Sequence, residues 1–512
     1  MDDRNAPYPP RFRWLIRIGI GVAIVLVGMG VLRWTWGQVM EARLEAAVQA
    51  IRDKGEPIDL ADLNPAGVPD AQNAAGYYRQ AMQQWPRVNG KYITGTDWFE
   101  DPDIHSDPIS DNAAYLEYAR PAIDLLRQAA AAPHVDWGVR VTRPTMNMLM
   151  PHLGKSRSLA RVVCDAIERA AAVGDTTLAV ELTDLLLNLA DDVSESPSLI
   201  SYLVSISIKA LAVGELADSI DAAPLNNPEH RRVTQALIAR LLDGDDDQRQ
   251  FIDAIHFERA SMYRTFRDIA DGTIGLTGNP GTPGHALKLA FLRPRVLHEA
   301  HRVMAYFNDL ADAADQNSRY PPLHDLGKNH PFLQAVSEHP MLYPFSAIML
   351  GAYDATIEAH FHSLVRQRML AVRVAMELYE RDHGEYPSKL DALLPEYLPA
   401  LPEDPFAVSR DQPLRIARGS LAHNWRDGQP IEGRHDLVIY SVWRNGVDDG
   451  GEFVVASDGD IENYRESTDR VMLVATSDAA SEALDDQRDV PREQRHAEDA
   501  RQQQDAPDDR QQ

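Results

Sequence analysis

Between Ile18 and Leu32 the chain reads IGIGVAIVLVGMGVL, without a single charge. An uncharged run of this length has few places to go, and so it constrains the fold more than any other segment. Trp14, Leu15 and Ile16 extend it on one side, Trp34 and Trp36 on the other, so that 14–36 reaches the ~20 residues that cross a bilayer. The tryptophans stand where interfacial aromatics collect, and Arg17 and Arg33 are long enough to snorkel. Arg4, Arg11 and Arg13 precede the run, while only Arg43 and Arg52 follow it closely, which places 1–13 in the cytoplasm and the bulk outside. The alternatives are a cleaved signal peptide and a buried core helix. Directly after the run come bulky Arg33, Trp34 and Trp36 rather than the small residues of a cleavage site. The expectation is an uncleaved signal anchor over 14–36 in the inner membrane, single-pass, with a periplasmic body.

With 512 residues the remainder exceeds one ordinary core, so two or three domains are expected. Hydrophobic residues at 44% and charged residues at 25% are a globular balance. The formal net charge of −26 repels phosphate backbones, so no nucleic-acid partner is expected. The single cysteine, Cys164, excludes an intrachain disulfide, and its place after Val162 and Val163 reads as a small core residue.

Periodicity predicts a mainly α chain. After the anchor, 37–112 reads as a stalk helix (Met40 to Arg52), a helix from Asn73 to Trp85 and a long irregular connection. An α-helical hairpin or bundle domain follows over 113–343. Its helices include Leu178 to Leu189, capped by Asp175, then Ile200 to Ile220, one started by Pro228, and Asp246 to Asp271. The prolines between Tyr320 and Pro340 predict broken structure. Over 344–476 a long amphipathic helix from Phe345 to Asp382 leads into an α+β module. Its strands are Pro413 to Ala417, Asp436 to Trp443, Glu452 to Ala456 and Arg470 to Ala475, in a small antiparallel sheet. The stretch 477–512 is polar, acidic and Gln-rich, and reads as a disordered tail.

Within the module, a helix carrying Ala371, Ala375, Leu378 and Tyr379 ends at His383-Gly384, where glycine suits a left-handed cap. Ser388 is placed to cap a short helix from Leu390, Pro402 and Pro405 enforce an extended loop, and Asn445-Gly446 is a turn dipeptide. Tyr379, Asp382, Gly384, Tyr386, Pro387, Leu390, Leu394 and Leu401 come in order, then Pro402, Asp404, Pro405 and Phe406. Tyr440-Ser441, Asn445-Gly446, Asp448 to Gly451 and Asp458 to Ile461 complete the set. This order resembles the C-terminal domain of the major (G-type) pseudopilin of type II secretion systems, over Ala371 to Ile461. The resemblance implies a small antiparallel sheet against a long helix, and calcium bound in an acidic loop, here Asp448, Asp449, Asp458 and Asp460. Carboxylates and turn carbonyls suit Ca²⁺, although the same Asp and Gly residues also serve as tight turns. In that family the hydrophobic assembly helix directly precedes the domain, behind a GFTLIE-like leader. Here the hydrophobic helix lies more than 300 residues upstream, so pseudopilus assembly in that manner is not expected. Gly55 to Leu63 (GEPIDLADL), with Pro69 and Asn73-Ala-Ala75, is similar to membrane-anchored proteins of planctomycete-type bacteria that end in this module, a likeness that implies no particular activity.

Other candidates for chemistry are weak. His298-Glu299-x-His301 has its second histidine one position short of the zinc-peptidase spacing. His360 and His362 point to different helix sides, and His324, Asp325 and His330 lie in the proline-rich stretch. Arg231-Arg232 and Arg366/Arg368 read as solvated faces. No catalytic residues, cofactor-binding residues or small-molecule substrate can be named. The expected function is a non-enzymatic membrane-anchored scaffold with protein partners in the envelope. The alternatives are a type II secretion-related subunit and an envelope enzyme with a site assembled from loops.

Overall fold

The computed structural model describes residues 13–476 apart from 60, 65–66, 86, 89–90, 93–110, 143–147, 197, 221–227, 274–282, 317–318, 351–352, 410, 420, 425–428, 430, 432–434, 456–460 and 463–469. The N-terminal segment up to residue 12, expected to be cytoplasmic, the stretch 477–512 expected to be a disordered tail, and most of the irregular connection therefore lie outside the described residues. The chain is mainly helical with a small sheet region near its C-terminal end.

Helix α1 (Arg13–Asp53) is continuous. Its apolar half is exposed over 14–32, the profile of a membrane anchor or a signal sequence. Its second half corrects the expected stalk. Met40, Leu44, Val48 and Ile51 recur at helical spacing and are all buried. Nothing local signals this, because their partners belong to α9 (Pro283–Gln316), far along the chain.

Between them, α2 (Ala74–Gln84) begins at Asn73, whose side chain accepts from the Ala75 N–H at 3.1 Å. A two-residue ladder joins β1 (Arg87–Val88) to β2 (Lys91–Tyr92). There follow α3 (Asn112–Ala131), α4 (Pro151–Ala172), α5 (Thr176–Ser194), α6 (Leu199–Ser219), α7 (Pro228–Leu242) and α8 (Asp245–Ala270). The predicted boundaries hold where capping chemistry set them: Asp175 accepts from the Leu178 N–H at 3.0 Å, and Pro228 opens α7. Consecutive helices pair, α4 with α5 and α5 with α6 across short connections, and α2 with α3 and α8 with α9 across longer ones. Helix α6 is long and apolar enough to cross a membrane, yet Tyr202, Ile208, Ala212 and Leu216 are buried in the body.

The proline-rich stretch is not broken structure. Prolines occupy the first turns of α10 (Tyr320–Asn329), α11 (Pro331–Glu338) and α12 (Pro344–Met349), where a missing N–H costs no helical hydrogen bond. The single helix expected over 345–382 is divided into α12 and α13 (Tyr353–His383). Helix α13 is not amphipathic either: from Ile357 to Leu378 it is buried nearly all round. It packs on α6, α7 and α10, and also on the sheet, so it belongs to the helical body and to the module at once. It ends at Gly384 (φ +78°), the predicted left-handed cap.

In the module, Ser388 does not cap the short 3-10 turn Leu390–Leu393. Lys389 holds that position without a side-chain bond. Strands β3 (Arg415–Gly419), β5 (Asp436–Ser441) and β8 (Arg470–Thr476) form an antiparallel sheet in the order β3-β5-β8. A second ladder, β4 (Ala422–Asn424), β6 (Phe453–Val455) and β7 (Ile461–Glu462), is mixed, because β4 pairs parallel to β6. Strand β5 is buried on both faces. Leu437 and Ile439 join the main core, while Val438 and Tyr440 meet Ala422, Phe453 and Val455. The main core is continuous from Met40 to Val474.

A free stalk would tolerate truncation of its side chains. We expect Leu44→Ala to cost about 2–4 kcal/mol in denaturant unfolding of the detergent-solubilised chain. An unchanged midpoint would restore the stalk.

Candidate functional site

The acidic turn follows β5. Asp448 accepts from the Tyr440 hydroxyl at 3.1 Å and the Gly450 N–H at 3.0 Å through one oxygen, and meets Arg415 Nε at 3.2 Å through the other. Asp449 accepts from the Asn445 amide at 3.3 Å. Asp458 and Asp460 lie outside the described residues. Among the described residues no group of three or more His, Cys, Asp or Glu is arranged to hold a metal ion. The structure thus places two of the four candidate calcium ligands in one turn, already engaged by protein donors. Asp404, part of the pseudopilin-like pattern, acquires a clear structural role. Fully buried, it accepts from the Ser441 hydroxyl at 2.7 Å, the Val442 N–H at 2.9 Å and the Phe406 N–H at 3.0 Å, tying the proline loop to the end of β5.

Several of the histidine candidates are held by packing and hydrogen bonds. Glu299 is buried and accepts from the Ser346 N–H and hydroxyl at 2.9 and 3.0 Å, fastening α12 to α9, while His298 and His301 stand half-buried beside it. His360 is buried, stacked on Phe251 at 4.3 Å, 2.6 Å from the Tyr202 hydroxyl and 3.3 Å from the Gln248 carbonyl oxygen. Burial pushes its pKa down to about 3, and likewise that of His362, whose ring meets Trp443. His330 caps α11 through Nδ1, and His324 stacks on Tyr320. The arginines read as solvated are also engaged. Arg231 pairs with Asp382 at 2.5 Å, Arg368 donates to the Glu403 carbonyl at 2.7 Å, and Arg366 is half-buried beside Gly214.

Sequence reasoning missed the strongest polar constellation, in the middle of the helical body. Lys209 on α6 lies 2.5 Å from Asp247 on α8 and 2.7 Å from Asp191 on α5. Gln367 on α13 donates to Asp247 at 3.0 Å, and Arg240 on α7 pairs with Asp191 at 2.7 Å. Burial alone would favour a neutral lysine, but the two carboxylates prevail and raise its pKa.

Beside this network opens a cleft of about 430 Å³, whose walls include His134, Trp137, Arg140, Met150, Asp192 and Glu195. The Trp137 ring stacks between Tyr78 at 5.7 Å and His152 at 4.9 Å, and its N–H donates to the Asp192 carbonyl at 2.7 Å. The Tyr78 hydroxyl donates to the Asp192 carboxylate at 2.7 Å. Asn73 holds this wall in place, accepting from the Asp136 N–H at 2.9 Å and donating to its carbonyl at 3.0 Å. Burial pushes the Asp192 carboxyl up to about 7, helped by Asp191 and Glu195, despite the Tyr78 hydrogen bond. His152 is buried with neither ring nitrogen hydrogen-bonded, and burial pushes its pKa down to about 4. The volume suits a small ligand, and a carboxyl that titrates near neutrality can exchange a proton with one. The only sequence mark was the Asp191-Asp192 pair closing an apolar helical period; Tyr78, Trp137 and His152 arrive from three separate segments.

A carboxyl raised from 3.8 to about 7 keeps its proton in the folded chain while the unfolded chain loses it. Stability conferred by that proton is present in full at low pH and falls as pH rises across that window. Asp192→Asn is expected to flatten the decline in melting temperature between pH 5 and 8 and to be the more stable form at pH 8. Parallel profiles for the two chains would place Asp192 in an ordinary solvated setting.

Comparison with family models, curated proteins and solved structures finds no match to this chain.

Proposed function

We propose that this chain is a single-pass membrane-tethered scaffold, with its N-terminus in the cytoplasm, its body outside, and its C-terminal module as a protein-docking end. The observation that carries the reading is α1, one helix with an exposed apolar half and a second half built into the core. Removal of a signal sequence would have to cut inside this helix, among the bulky residues that follow Leu32. The order of α13 and the antiparallel sheet supports the pseudopilin-like reading of the module. On that reading calcium at Asp448, Asp449, Asp458 and Asp460 would brace the acidic turn. The cleft beside Asp192 favours a second reading, an envelope protein that binds or transforms a small molecule there. Assembly as a secretion-related subunit is the remaining alternative.

The tether is tested by alkaline extraction of membranes. The full-length chain should stay with the bilayer, and release of a shortened soluble form would contradict it. Crosslinking from intact membranes then separates the protein partners: envelope proteins unrelated to secretion support the scaffold, whereas secretion subunits support the alternative. Millimolar calcium should raise the melting temperature of the full chain by a few degrees and lose that effect in Asp448→Ala. An unmoved wild-type chain would reject the calcium site.

A further inference from the structure

Helices α1 and α9 run side by side in the same direction. Arg33 donates to the Phe291 carbonyl, Gly37 lies against Pro294, and Lys54 pairs with Asp312 at 2.9 Å. The first and last of these pairs are each 258 positions apart, so the register holds over about 30 Å of helix. Between Phe291 and Asp312, the height of an α9 residue above the bilayer can therefore be read from its neighbour on α1. Phe291 is level with Arg33, the first charge after Leu32, and its ring lies under the guanidinium at 3.8 Å. Arg295, one turn or ~6 Å farther from the membrane, donates to the carbonyls of Leu342, at 3.1 Å, and Met341.

Headgroups add roughly 5–8 Å to each side of the hydrocarbon core. Phe291, Met341 and Leu342 thus fall at headgroup depth. They are 64%, 85% and 58% exposed, large apolar side chains left mostly open even with the Arg33 guanidinium over the Phe291 ring. Arg33 and Arg295 stand among them, a cationic spot on a chain of net charge −26. Apolar side chains flanked by arginines at this level fit a lipid surface with anionic headgroups.

We infer that Phe291, Met341 and Leu342 form a second membrane contact, seating the body against the bilayer beside α1, with Arg33 and Arg295 facing headgroup phosphates. The inference rests on the reading of α1 as a membrane anchor. It goes beyond it, because a single helix leaves the body free to tilt and a second contact fixes its orientation.

The test uses the full chain, in a Cys164→Ala background, with Leu342→Cys or Met341→Cys labelled by an environment-sensitive fluorophore and Val447→Cys on the module as reference. Each is reconstituted into vesicles of phosphatidylcholine alone or with phosphatidylglycerol. Labels at 341 and 342 should be quenched by shallow lipid-borne spin labels and shielded from aqueous iodide several-fold more than the label at 447, with the difference larger in anionic vesicles. Failure of the chain to float with vesicles would overturn the anchor reading itself. A chain that floats while its 341 and 342 labels remain open to iodide would overturn only the second contact. So would shielding that appears solely at high protein-to-lipid ratio, the sign of a second copy of the chain on this patch.

Discussion

The pairing of α1 with α9 is the contact through which the body holds the N-terminal apolar helix. Of its ion pairs, Glu41 with Arg293 is half-buried and Lys54 with Asp312 is exposed, and exposed pairs contribute ~0–1 kcal/mol each. Met40, Leu44, Val48 and Ile51 are buried beneath them, and full burial of a side chain of this size is worth ~1.5–3 kcal/mol. Apolar packing therefore sets the join, and the charges set its register. Just past the helix end, buried Arg259 on α8 donates to Glu56 at 2.5 Å and to Asn308 on α9 at 2.9 Å, locking the exit of α1 against both helices.

From that join, order passes inward through α8 and α9 to α13. Helix α13 has no solvent face along most of its length, because α6, α7 and α10 cover one side and β5 and β8 the other. Two of the polar groups it buries meet specific partners: Gln367 meets Asp247, and His360 meets Tyr202 and Gln248. Such partners are weak contributors to stability when exchanged for apolar groups, but each is satisfied in a single geometry. The Lys209 network joins α5, α6, α7, α8 and α13 in this way. The cleft beside Asp192 shares that setting, since Asp191 serves the network and its neighbour faces the cleft.

Much of the local structure was legible in the sequence. Asp175, Pro228 and Gly384 mark helix ends by chemistry that acts within a few residues, and β5 is a short, largely apolar run that is buried throughout. What was not legible depends on distant partners. The apolar face of Met40 to Ile51 has the same pattern on a free stalk as in a core, and only α9 decides between them. Prolines at 321 and 331 read as breakers because first-turn placement cannot be told from interior placement without the helix start. The charged residues of α13 suggested a solvent face, whereas Arg373 donates to the Leu473 carbonyl at 3.1 Å and Arg368 to that of Glu403. The Asp192 cleft draws on residues from Leu63 to Phe257, and no spacing rule brings those together. The acidic turn was legible as a turn, and Asp448 and Asp449 stand in it.

The claim on which the rest stands is that α1 is rigidly joined to the body. Hydrogen exchange read by mass spectrometry on the full chain in lipid nanodiscs addresses it directly. Amides of 40–53 should exchange as slowly as those of α5 and α13, because exchange there requires opening of the core. Exchange of 40–53 within seconds, while α5 and α13 stay protected, would mean that the helix leaves the membrane as a free stalk and would contradict the account.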